Sequence, residues 1–501
     1  RARGNGMTTN DMTLDARRGL SRRQFVGLAG LGLATIALGN LTGCSKGATQ
    51  YVYDVVVVGS GGSGTTSAAF AAKNGAKTVC IEKLGWQGGS SSLALGTFYG
   101  SGTVQQKELG IDDTPDDYYN YLLTRNADKV DLAMNRFMAD HSGETIDWLR
   151  EDLKVPFKDE IKGNGKDKVK RGHMCKNNAD DALKAVTQLA KEQGVDFHFD
   201  TDATALIVDE STGRVVGVRA EKAGKEVIYN AKAVIIASGG FCRNPEMIAK
   251  YCPDYVGVYT EVGIGLDGSG LQMGLDIGAA YTGHGGTNGI LACPVEPGQS
   301  KLISAKALWV DSKGKRFVNE GGQTHDIYYQ VAHFDDQQFF AVYDQAMVDG
   351  LTDKLKKKVA MGLEQGMFAK GDTVEAAAAQ LGVDGVACSE TLAAYNEMVA
   401  SGADTQFKKG AANLVALTQA PYYLLKMGVC THGSFGGFDI NTDFQVKNEQ
   451  GEIIPGLYSA GEVCCGTFIY DDYPAGGCGL NFAYTSGRFA GANAASEALS
   501  A

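Results

Sequence analysis

Four valines in a row, Val55 to Val58, interrupt an otherwise mixed sequence. A run with no polar position suits a strand buried on both faces. Small residues follow from Thr65 to Lys73 and predict a closely packed helix, and Lys77 to Glu82 predicts a second strand that ends in an acid. Between residues 197 and 221 apolar and polar positions alternate, so Thr201–Val208 and Gly213–Val218 read as a β-meander. Ala231 to Ala237 is a further buried strand, ending at Ser238-Gly239-Gly240. Helical spacing links Tyr118, Leu122, Val130, Met134, Phe137 and Met138 behind a helix start at 112–117, and His141 and Trp148 join that layer. Residues 373–399 are alanine-rich and helical by pattern. Residues 93–102 read as a glycine-rich loop beside the site, and the lysine- and glycine-rich 162–176 as an exposed loop.

The junction after the valine strand carries chemistry. Gly59, Gly61 and Gly64 stand at G-x-G-x-x-G spacing, with Gly62 inside it. The first glycine makes the tight turn, the second lets backbone approach a pyrophosphate, and the third lets helix and strand pack closely. The helix start offers N–H groups and positive dipole to phosphates. Glu82, about 20 residues on, is placed to accept from a ribose hydroxyl. The unit is therefore a dinucleotide site.

Composition narrows the class. The 501 residues are 44% hydrophobic, enough for two or three domains. The 67 glycines against 9 prolines, with no repeat, exclude collagen and suit many tight turns. A net charge of −11 argues against a nucleic-acid partner. The 11 cysteines include no C-x-x-C, so neither an attached haem nor a common zinc site is expected and no metal ligand is assigned. Residues 1–50 read as a targeting segment. Ser21-Arg-Arg-Gln-Phe-Val26 resembles a twin-arginine export signal, and Leu41-Thr-Gly-Cys44 resembles a lipobox. The expectation is a chain exported to the periplasm or cell surface and held to the membrane only by lipid on Cys44.

Further motifs resemble the fumarate reductase/succinate dehydrogenase flavoprotein superfamily. Glu82-Lys83 with Gly88-Gly89-Ser90-Ser91 is similar to its E-K-x-x-x-x-G-G-x-S segment, and this resemblance implies FAD rather than NAD. Ala203, Ser238 and Gly239, and the 263–274 loop with Ser269 at the usual aspartate position resemble its later FAD contacts. Gly314–Glu320 matches G-x-R-F-V-N-E. Gly436–Asn441, Pro455–Val463 with Glu462, and the stretch through Gly479 and Leu480 resemble its C-terminal flavin segments. The resemblance implies an α/β fold. Its Rossmann-like FAD-binding domain of the glutathione-reductase type is built from 51–280 and 428–501. An inserted α+β capping domain spans 281–427.

The same resemblance tests the substrate. Fumarate reductases carry three arginines whose positions here hold Ile303, Thr324 (or His325) and Pro474. Two carboxylates without paired charge would be costly to bury. Tyr473-Pro-x-x-Gly477 instead resembles 3-ketosteroid dehydrogenases, where the tyrosine hydroxyl and glycine N–H hold a carbonyl oxygen. A second group must move a proton, and Tyr470, Tyr328, His325 and His432 are candidates, with His284 below them. The expected reaction is reduction, or the reverse dehydrogenation, of a C=C bond conjugated to a carbonyl in an enone or enoate. Electrons come from an external donor, a multihaem cytochrome being one candidate. An unsaturated carboxylate reductase and a flavin electron-transfer lipoprotein remain open alternatives. Cys430, Cys464, Cys465 and Cys478 are expected near the flavin, either as small buried thiols or as a cluster or redox pair.

Overall fold

The computed structural model describes residues 48–126, 129–163, 166–296 and 300–500. The segment expected to direct export, Cys44 included, lies outside the described residues up to residue 47. Residues 48–501 form one compact unit.

The valine run is one of the two central strands of a six-stranded sheet. From one edge the order is Gln445–Lys447, Ile453–Ser459, Ala233–Ile236, Val55–Val58, Thr78–Ile81 and Asp196–His198. All pairs are parallel except the first, as burial on both faces requires. Val55, Val56, Val57, Val234, Ile235 and Ile236 have no exposed surface. The helix Gly62–Lys73 begins three residues earlier than its small-residue run suggested and packs on the last helix, Cys478–Ser500. Close contact needs the small residues. A Cβ on Gly487 would lie 2.6 Å from the Ser63 carbonyl oxygen, and one on Gly491 2.2 Å from that of Ser67. The two ends of the chain thus close on one another beside the sheet.

The meander forms as expected, as Asp202–Asp209, Arg214–Lys222 and Lys225–Asn230, with Thr49–Val52 added in parallel. The helical layer divides into Pro115–Asn126 and Leu132–Asp147, and the alanine-rich segment into Val374–Gln380 and Gly385–Ser401. A second sheet is built on the long strand Tyr422–Ser434, which pairs with Tyr259–Thr260, Thr287–Ala292, Gln338–Tyr343 and Phe368–Gly371. The expected domain boundary at 427/428 therefore falls inside one continuous strand.

Residues 162–176 correct the expected loop. Gly172–Cys175 is a strand between Thr97–Tyr99 and Phe157–Lys162, and Arg171 is 1% exposed. Its guanidinium forks onto Asp113 at 2.6 and 2.9 Å and also meets Asp167. Charge count pointed outward; Asp167 of the same segment and Asp113 from another pair with this cation and allow it to be buried.

Candidate active site

The carboxyl ends of the parallel strands open on a cavity of about 1170 Å3. Its floor is the glycine turn. Gly59 has φ +100, and a Cβ there would sit 2.6 Å from the Ala237 carbonyl oxygen. A Cβ on Gly64 would lie 1.9 Å from the Gly59 oxygen, so Gly64 serves packing and does not line the cavity. Gly61 and Gly62 do line it, at the start of a helix with no acid in its first turn. Glu82 is fixed by the loop it faces, its carboxylate accepting from the Ser60 N–H and hydroxyl at 2.9 and 3.0 Å and from the Leu84 N–H at 3.0 Å.

The second glycine-serine cluster folds over this floor. Gly61 bridges to Gly88, which lies behind the lining, while Gly89, Ser90 and Ser91 face the cavity. Ser91 Oγ accepts from the Gly62 N–H at 3.0 Å, and Ser90 Oγ from the Gly263 N–H at 3.1 Å. Lys83, Ala203, Ser238, Gly239 and Ser269 also line it. The carboxylate of the 263–274 loop, however, is Asp267. It pairs with Lys83 at 2.8 Å and caps the Ser269 N–H at 3.0 Å. Ser269, at the position aligned with the usual aspartate, lines the cavity, whereas Asp267 does not.

The C-terminal segments complete the wall with Glu462, Tyr473, Gly477, Gly479 and Leu480. Glu462 accepts from the Ser434 N–H at 2.8 Å and hydroxyl at 3.2 Å, and burial pushes its carboxyl up to about 7. Ser434 was not singled out from sequence, although it lies two residues from His432 on the same strand. Tyr473 is buried, stacks on Phe435 at 5.6 Å and meets the edge of His325 at 5.1 Å. Its hydroxyl oxygen accepts from the Gly479 N–H at 2.8 Å, at the start of the last helix, and the Gly477 amide also points to it. Burial holds this phenol well above its ordinary range, so it stays a neutral donor. Gly477 has φ +107, and a Cβ would approach the Thr97 oxygen to 2.7 Å.

The proton candidates separate. His325 and His432 line the cavity. Burial pushes His325 down to about 4, and its Nδ1 is buried without a hydrogen-bond partner. His432 is likewise lowered by burial, against the pull of Glu261. Tyr470 is corrected: its ring packs on His284 at 4.1 Å under Lys129 and is outside the lining. Tyr328 is buried and bonds Thr287 at 2.7 Å. Of the three positions that lack arginine, Thr324 and Pro474 are on the wall and Ile303 is not. Lys162 also lines the cavity, and two further cations there are engaged. Arg243 donates to the Val262 and Gly263 carbonyls, and Lys166 pairs with Asp326 and, at 3.7 Å, Asp472.

The cysteines do not converge as a cluster. Cys464 Sγ donates to the Gly461 carbonyl at 3.3 Å, Cys465 to that of Ser434 at 3.3 Å, and Cys478 meets the Tyr118 hydroxyl at 3.5 Å. Cys430 lies 3.5 Å from His432.

The cavity fits FAD. It exceeds the roughly 300–1,000 Å3 of ordinary small-molecule pockets. Two helix N-termini reach it, glycines leave a cradle that a Cβ would fill, and the buried Ser238 hydroxyl on its wall has no protein partner. Such an orphan calls for a ligand. Gly61, Gly62, Ser90 and Ser91 would hold the pyrophosphate side, Glu82 and Ala203 the adenosine side, and Glu462 and Gly479 the flavin side.

Fold and site together define a flavin-dependent oxidoreductase acting on carbon–carbon bonds. Residues 54–480 match the FAD binding domain family, and the chain belongs to that family. It is 30% identical over 455 residues to a probable fumarate reductase of Shewanella frigidimarina (strain NCIMB 400), covering 89% of this chain and 75% of that one. Among solved structures, the open conformation of a flavocytochrome c3 fumarate reductase is similar at TM-score 0.75 and 29% identity, over 90% of this chain and 79% of that one. A 3-ketosteroid-Δ4-(5α)-dehydrogenase from Rhodococcus jostii RHA1, in complex with 4-androstene-3,17-dione, is similar at TM-score 0.72 and 26% identity, over 90% and 98%.

Proposed function

We propose that this chain reduces, or in reverse dehydrogenates, a C=C bond conjugated to a carbonyl in a neutral small molecule. The observation that carries the reading is the Tyr473 hydroxyl. Its oxygen is held by the Gly479 N–H, which leaves its own proton to donate into the cavity. Bound FAD supplies the hydride. Tyr473, its oxygen facing the Gly479 and Gly477 amides, would donate to the carbonyl oxygen and stabilise the charge that develops there as the alkene accepts hydride. His325, packed against Tyr473, would move the accompanying proton. Around them, burial lowers both His325 and His432 below the ordinary imidazole range, and Pro474, Phe435 and Asn288 carry no charge. Glu261 on the same wall would repel a second carboxylate.

An unsaturated carboxylate is the second reading, and Lys166 on the lining favours it. Its two carboxylate partners weigh against it. Electrons would come from an external donor, with a cytochrome suggested by the flavocytochrome relative. The arginine pair at 22–23 and the lipobox-like segment before Cys44 support export and lipid anchoring.

Tyr473→Phe tests the reading. With FAD still bound, enone-dependent reoxidation of the reduced flavin should slow by about 10²–10³-fold, as for loss of one oxyanion donor. Unchanged turnover would remove the carbonyl clamp.

A further inference from the structure

Beside the Tyr473 clamp, Glu261 and His432 of the cavity wall meet the buried Cys430. Cys430 and His432 stand two apart on the strand Tyr422–Ser434, and their side chains meet at 3.5 Å. The register against Thr287–Ala292 slips between Asn288 and Gly289, which pair with Gly433 and Thr431, so His432 is the unpaired bulge residue. A bulge re-aims a side chain, commonly next to active sites. Glu261 follows the strand Tyr259–Thr260, and its N–H donates to the Thr431 carbonyl at 2.9 Å. The Thr260 and Thr431 hydroxyls, 2.6 Å apart, tie the two segments together. Three ligand-bearing side chains are thereby brought together from two backbone-locked strands.

Their atoms have the spacing of a coordination sphere. Cys430 Sγ lies 3.5 Å from His432 Nε2, His432 Nε2 lies 3.6 Å from Glu261 Oε2, and all three atoms fall within 4.8 Å of one another. Tetrahedral zinc with the usual bond lengths to sulfur, nitrogen and oxygen needs separations of ~3.5 Å for S···N and ~3.3 Å for N···O. Sulfur and imidazole donors select zinc or another late transition metal over magnesium or calcium. Among the described residues this is the one such group. Cys430 is buried, whereas His432 and Glu261 also face the cavity. Three protein ligands with the remaining position toward a cavity is the arrangement of a reactive zinc site, not of a closed structural one.

We propose that Glu261, Cys430 and His432 bind a divalent transition metal, zinc in the first instance. Its fourth position faces the substrate end of the cavity and takes water or an oxygen donor of the substrate. The ion would bring positive charge to a wall that lacks the arginines of fumarate reductases. The site rests on the wall geometry alone, so it stands or falls separately from the Tyr473 clamp.

The test uses the full chain with FAD bound, stripped of metal and then dialysed against zinc, with zinc counted by mass spectrometry. A parallel sample is loaded with cobalt(II), whose thiolate charge-transfer band reports a sulfur ligand. Stoichiometric zinc and that band are expected in the wild type. Cys430→Ser should abolish the band. Glu261→Gln should weaken zinc binding by at least the roughly 10–100-fold lost with an outer-shell partner. The flavin absorbance of each variant shows that the fold is retained. Only trace zinc in the FAD-loaded wild type would overturn the site, as would a cobalt band that survives in Cys430→Ser.

Discussion

Glu462 shows how far one buried carboxyl can shape this site. It has no cation beside it and is held by the Ser434 N–H and hydroxyl, and burial raises its carboxyl from an ordinary 4.5 to about 7. The folded state therefore binds its proton more tightly than the unfolded chain. The stabilisation is complete below about pH 4.5 and is lost as pH rises through 7. The difference is of order 3 kcal/mol. Glu462→Gln cannot ionise, so the apoprotein variant should gain thermal stability over wild type at pH 8 and show little gain at pH 5. Parallel melting curves at the two pH values check this; an equal difference at both would show that Glu462 does not titrate there. At this scale the sequence was informative wherever a backbone geometry demanded one residue type, as at Gly59, Gly64 and Gly477. It was less so for side chains positioned by tertiary folding. Tyr470 and Tyr473 differ by three positions in one glycine-rich stretch, and only the packing of His284 and Phe435 sends one outward and the other into the cavity.

Among elements, the G-x-R-F-V-N-E match has a structural explanation. Arg316 forks onto Glu320 at 2.9 and 2.7 Å and reaches Asp404 at 2.8 Å, and Lys409 approaches Glu320 at 3.4 Å. All four side chains are buried, and none lines the cavity. Glu320 also accepts from the Trp309 N–H, so the network anchors the strand Leu308–Val310 to the loop around 404–409. Removing one partner leaves buried charge unpaired. Arg316→Ala should destabilise the chain by about 3–5 kcal/mol in urea unfolding, while the flavin spectrum of folded protein is unchanged. A loss within experimental error would show that the network is dispensable. The motif was readable as a string, but its separation from the cavity depended on Asp404 and Lys409, some 90 residues away, which no local pattern connects to it. The buried strand at 172–175 eluded the sequence for a partly similar reason, since Arg171 pairs with the distant Asp113 as well as with the nearby Asp167.

Across the whole molecule, sheet and last helix bring the first βα turn and the C-terminal glycines to one cavity. The parallel sheet, the meander and the dinucleotide turn were legible because unbroken or alternating apolar runs admit few other folds. The placement of His432 on a bulge and Glu261 beside it was not, since it depends on strand register between segments 170 residues apart. The proposed function requires that this cavity hold FAD facing a neutral carbonyl-bearing alkene. The direct measurement is anaerobic: the FAD-loaded protein is reduced, mixed in turn with a neutral enone panel and with fumarate, and flavin reoxidation is followed at each. The account predicts that an enone is the faster oxidant and that fumarate is slow. Fumarate as the fastest oxidant would contradict it.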